Sequence, residues 1–161
     1  MTLVTWLALV VLAFVELVVG LWNQWFPDSF YRDFPTVALT PPFSEHYARD
    51  FGGATIGIAV VLVAALVSPR PVLVVTAGLA STVFAVPHLV FHLEHLDGAS
   101  SAQAIVLTAA NATAAALGIL LVALGTKDGL QRTGSGRTAG IVPGQGSFSG
   151  HGTGPDGQPR S

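Results

Sequence analysis

Charged residues are nearly missing from four stretches of the chain, 3–22, 51–67, 72–91 and 102–125, and gather in the segments between and after them. Each stretch is about 17–24 residues long. At about 1.5 Å of rise per residue, a helix of that length crosses a hydrocarbon core of roughly 30 Å. The pattern predicts an all-α fold, an integral membrane four-helix bundle over 1–125 with no separate soluble domain. A long loop over 23–50 joins the first two helices, and a polar tail follows at 126–161.

The first loop is rich in aromatics, with Trp25, Phe26, Phe30, Tyr31, Phe34, Phe43 and Tyr47, and prolines at 27, 35, 41 and 42 oppose a continuous helix. Such rings favour the headgroup level. The segment is expected to lie across the membrane surface as a lid or an anchor, with one short amphipathic helix around 28–34. Ser44 is a suitable N-cap for the second helix, and Glu45 and Asp50 suit its first turns. The tail holds ten of the eighteen glycines, has no apolar period, and reads as disordered; His151 belongs to it and to no site.

Composition sharpens this picture. The chain is 51% hydrophobic and 10% charged, against about 25% charged in soluble domains. A net charge of −2 offers nucleic acid no electrostatic footing, so the partners expected are membrane lipid and a second copy or another membrane protein. Gly/Ala-rich faces on the second and fourth helices suit bundle packing and dimerisation equally. The N-terminus has no basic run and no small-x-small cleavage site, so it reads as a retained first helix. Arg70, Lys127, Arg132, Arg137 and Arg160 fall on one side, Arg32 and Arg49 on the other. The positive-inside rule then puts both termini in the cytoplasm of a plasma-membrane protein.

That orientation gathers the polar residues at the extracytoplasmic end. Glu16 is the single charge of the first helix, read either as a carboxyl that fixes packing or as a ligand or proton acceptor. Arg49 is its natural partner. Asn111, in the fourth helix, needs Glu16 or a backbone carbonyl. His88, His92 and His95 fall at 0°, about 40° and about −20° around a helix, one face, while Glu94 and Asp97 point away from them.

Cysteine is absent, which removes disulfides and thiolate sites and leaves histidine, carboxylate and Met1 as candidate ligands. No Walker-type phosphate loop or hydrolase nucleophile motif appears, and no catalytic residue is assigned. His88 and His92 have the i, i+4 spacing by which a helix offers two imidazoles to a metal. With His46 and His95 they form the candidate metal set, for zinc, copper(II), nickel or iron(II). Haem between His46 and His88 or His92 is a second cofactor reading. A third reading is structural: histidines, Arg49 and acids form one network that holds the loop to the bundle. Transport is a fourth, weakened by the lack of a polar route through the cytoplasmic half. The reading drawn is a site of Glu16, His46, Arg49, Asp50, His88 and His92 that binds a transition metal or a redox cofactor, haem or quinone. The alternative is a non-catalytic structural or partner-docking protein whose polar cluster stabilises the bundle.

The run Glu45-His46-x-x-Arg49-Asp50-x-Gly52-Gly53, followed by Phe84-Ala85-Val86-Pro87-His88-Leu89-Val90-Phe91-His92-Leu93-x-His95-Leu96, resembles small four-span membrane proteins of actinobacteria. In layout these are similar to the DoxX-like superfamily, where an Arg followed closely by Gly opens the second helix. The resemblance covers about residues 1–125. It implies a four-helix bundle in the plasma membrane, and for some members quinone or thiol redox work. Without cysteine the thiol branch does not carry over; a quinone carbonyl hydrogen-bonded by His88 or His46 does.

Overall fold

A computed structural model of the protein describes residues 1–39 and 42–139, with side chains as far as Gly134. The described residues form five α-helices, α1 Leu3–Trp25, α2 Pro27–Asp33, α3 Glu45–Val67, α4 Pro71–Glu94 and α5 Ser101–Ala139, and a 3-10 turn at Val37–Leu39. Four of them, all but α2, are long and apolar enough to cross a membrane. Helices are the expected outcome, because a lipid-embedded backbone must satisfy its own N–H and C=O groups.

Polar side chains next to each span lengthen the helices beyond their apolar runs. Thr2 caps α1 through a bond from the Thr5 N–H at 3.2 Å. Ser44 caps α3, which therefore begins at Glu45 rather than 51. Ser100 and Gln103 form a reciprocal capping box that opens α5: the Gln103 N–H donates to Ser100 Oγ at 3.3 Å, and the Ser100 N–H to Gln103 Oε1 at 2.9 Å. Pro71 stands at the start of α4, where its missing N–H is harmless.

Two expectations change. The segment between the first two spans is not one long loop. It shrinks to 26–44, and much of that is the short helix expected near 28–34, found at Pro27–Asp33. Nor does the fourth helix end with its apolar run at 125. Gly125 packs on Val75 and Gly129 meets Pro71, so α5 keeps a neighbour past the apolar run and continues to Ala139. The rest of the tail, with His151, lies outside the described residues.

The bundle is two tight pairs, α1 with α3 and α4 with α5, joined through narrower α3–α4 and α1–α5 seams. Both pairs cross at glycines in the same way. Gly20 and Gly118 are each the eighteenth residue of their helix, and Gly52 and Gly78 each the eighth. A Cβ on Gly52 would lie 2.7 Å from Gln24 N and 2.9 Å from Gly20 O. One on Gly78 would lie 2.7 Å from Val122 N and 2.9 Å from Gly118 O. The second pair thus repeats the first with its helix roles in reverse order, α5 for α1 and α4 for α3.

The apolar core of Leu9, Leu12, Leu62, Ala65, Val74, Ala77 and Leu121 occupies the half of the bundle near the α3–α4 turn. The imidazoles, Arg49 and α2 are at the opposite end. Outward faces remain apolar: less than half of the apolar run of α1 and under a fifth of that of α5 is buried within the chain.

Candidate functional site

At the α2 end, each polar residue is positioned by its own helix and finds a near neighbour. Gly52 lets α3 approach the last turns of α1, and Arg49, one turn earlier on the same face, then reaches across. Its Nη1 donates to the Gln24 carbonyl, while Nε and Nη2 donate to Glu45 Oε1 at 2.9 and 2.8 Å. Gln24 is among the last four carbonyls of α1, which have no intrahelical donor. A guanidinium there both fills that vacancy and complements the negative end of the helix dipole. The expected Arg49–Glu16 pair does not form. Glu16 is 7% exposed and sits one turn before Gly20 on the buried face of α1; among the described residues it has no ion-pair or hydrogen-bond partner. Asn111 takes the other option foreseen for it and donates to the Leu107 carbonyl at 2.9 Å.

The four imidazoles go to three places. His46 pairs with Asp50, Nε2 to Oδ2 at 3.2 Å, on an open face where the two side chains are 85% and 65% exposed. His95 leaves the helix face at the C-terminus of α4. Its ring stacks on Phe91 with centroids 4.0 Å apart, and its Nδ1 is 2.7 Å from the Phe91 carbonyl, so it caps the helix. His88 and His92 do meet, Nε2 to Nε2 at 3.2 Å with ring centroids 4.5 Å apart. His88 stacks on Phe84 and lies 6.2 Å from the Phe51 ring of α3, centroid to centroid. His92 is 9% exposed, and its Nδ1 is buried with no hydrogen-bond partner among the described residues.

The six residues expected to share one site are therefore not brought to one point. Among the described residues, no group of three or more His, Asp or Glu side chains is arranged to hold a metal. The physical reason is angular. His46 is five residues before Phe51, so when Phe51 turns toward α4 the His46 side chain turns well away from it. That turns His46 away from His88 and His92.

Other contacts at this end were not anticipated. Trp22 Nε1 donates to Ser29 Oγ at 3.1 Å, and the Trp22, Phe30 and Phe34 rings pack edge-on and stacked, folding α2 back against α1. The aromatic spacing was visible in the sequence; the partner helix was not. Phe84 and Phe91, four residues from His88 and His95, were equally visible as ring partners. Comparison with protein-family models, with curated proteins and with solved structures gives no match, so the resemblance to DoxX-like proteins rests on its residues alone.

Proposed function

We infer that this multi-pass membrane protein has a structural or docking role and that its polar cluster stabilises the bundle rather than holding a cofactor. The observation that carries this is the Arg49 guanidinium, spent on Glu45 and on the α1 C-terminal carbonyl of Gln24. His95 acts likewise as a cap, and His46 is paired within its own helix. Each is a local use of a polar side chain to close a helix end or hold two helices together.

The test is purification in mild detergent followed by metal analysis, an optical spectrum for haem and solvent extraction for quinone, on the parent and on H88A/H92A. This reading expects no stoichiometric cofactor in either sample and a lower melting temperature for the variant. One metal, haem or quinone per chain, lost in the variant, would overturn it.

One observation favours a second reading. Two nitrogens bound to a tetrahedral zinc at about 2.0–2.1 Å are roughly 3.3 Å apart, close to the 3.2 Å between His88 and His92 Nε2. Those two imidazoles would supply half of a coordination shell, with a second copy supplying the rest. Equilibrium dialysis with zinc, copper(II), nickel and iron(II) addresses this. It predicts one metal per two chains.

A further inference from the structure

Two grooves adjoin at the point where α1 ends. One, about 530 Å³, runs along the outside of the last two turns of α1 and is walled by apolar side chains, Val18, Leu21, Trp22, Trp25 and Phe26. The other, about 310 Å³, begins at the same Trp25 and Phe26 and continues between α2 and the start of α3, where Asp28, Arg32, Glu45 and Arg49 line it. Leu21, Trp25 and Phe26 are 44%, 59% and 66% exposed, and exposed aromatics of this kind mark the membrane–water boundary. The apolar groove therefore faces acyl chains and the charged one faces headgroups.

The charges select the occupant. Two arginines and two carboxylates line the upper groove, so it has no net charge to offer a purely anionic ligand. Arg49 and Glu45 neutralise each other. Asp28 and Arg32 are one turn apart on α2, a spacing at which such residues ordinarily pair. Among the described residues neither has an ion pair, and both are exposed. One free cation and one free anion, side by side above an apolar groove, complement a zwitterion with a tail.

We propose that the joined grooves bind one phospholipid with a phosphate–ammonium headgroup. The phosphate is held by Arg32, the ammonium by Asp28, and an acyl chain lies along Val18, Leu21 and Trp25. Arginine suits the phosphate because its planar fork presents two parallel N–H donors. Trp25 and Phe26 belong to both grooves and mark the level of the glycerol. The Trp22–Ser29 bond and the ring cluster beneath α2 keep the two grooves in line. This site is separate from the histidines, so cofactor analysis of His88 and His92 does not bear on it.

The experiment is native mass spectrometry of the full chain released from micelles. It is titrated with phosphatidylethanolamine, with phosphatidylglycerol, and with a phosphate-free diacylglycerol glycolipid. The expected result is one phosphatidylethanolamine per chain, retained at activation energies that strip the other two. Arg32→Gln should weaken retention of phosphatidylethanolamine about tenfold. Asp28→Asn should abolish its preference over phosphatidylglycerol. Both residues are exposed, so unchanged helical circular dichroism and melting would show intact folding. Equal retention of all three lipids would mean ordinary annular lipid and would overturn the site. Stronger retention of phosphatidylglycerol, or an unaffected Arg32→Gln, would overturn the headgroup assignment.

Discussion

Replacing Gly52 by alanine adds one methyl group where two helix backbones cross. The new Cβ would meet Gln24 N at 2.7 Å and Gly20 O at 2.9 Å, whereas ordinary contact begins at 3.4 Å. The shortfall is about 0.7 Å, and both obstructing atoms are backbone, so no side chain can swing aside; α1 and α3 must separate. Overpacking of this sort costs about 1–3 kcal/mol. Separation also stretches the Arg49 bond to the Gln24 carbonyl, and a hydrogen bond to a charged group is worth about 1.5–3 kcal/mol. Losing part of that brings the total to about 2–4 kcal/mol. Gly57→Ala is the control, because nothing lies within 4 Å of its Cβ. It should be neutral or stabilising by up to about 1 kcal/mol through helix propensity. The assay is reversible unfolding in mixed detergent–SDS micelles, followed by circular dichroism, on both variants. A G52A protein as stable as the parent would refute the close crossing and, with it, the account of how Arg49 reaches α1.

Further outcomes follow from the same structure. Gly78→Ala should destabilise by about 1–3 kcal/mol in the same assay, the overpacking part alone, since its crossing with Gly118 repeats that of Gly52 with Gly20 but carries no arginine bond. Arg49→Lys keeps the charge but cannot address Glu45 and the Gln24 carbonyl together, and should lower stability by about 1–2 kcal/mol; equal stability would show that the carbonyl contact contributes nothing. Among the described residues Ser81 Oγ is buried without a partner, so Ser81→Ala should be neutral or stabilising, and a loss above about 1 kcal/mol would reveal a partner for the hydroxyl. The chain has no cysteine, so single cysteines report topology directly. If the positive-inside rule sets the orientation and both termini are cytoplasmic, an impermeant maleimide added to intact cells should label Ala99→Cys and spare Thr126→Cys; the reverse pattern would invert the orientation.

Much of the fold was legible in the residues. Leu3 to Trp22, the run after Asp50 and the run after Pro71 appear as helices because apolar side chains leave a membrane-embedded backbone no other way to satisfy itself. Ser44, Pro71 and the short helix near Asp28 were legible for local reasons, capping and proline geometry. The start of α3 at Glu45 was legible in the same way, through Ser44 and the i, i+4 pairs Glu45–Arg49 and His46–Asp50. The far end of α5 was harder, because its apolar run stops at 125 and the helix continues on polar residues to Ala139, which hydropathy does not register.

The candidate site was legible only in part. The His88–His92 contact is a property of one helix, and four-residue spacing was enough to foresee it. His95 shared that face by angle, but α4 ends at Glu94, and the ring turned back onto Phe91 instead. Glu16 and Arg49 looked like partners by depth and charge; the crossing at Gly20 and Gly52 instead set Arg49 against the end of α1.

The amino-acid sequence by itself determined that the chain forms four helices long and apolar enough to cross a membrane, and which residues share a face of each helix. Both follow from periodicity and from the cost of exposing peptide groups to lipid. Which faces meet was decided only by the tertiary structure. Rotation of one helix about its axis relative to the next depends on close approach at glycines contributed by both, a pairwise property that no single segment encodes. That rotation sends His46 to an open face and, among the described residues, leaves Glu16 without a partner.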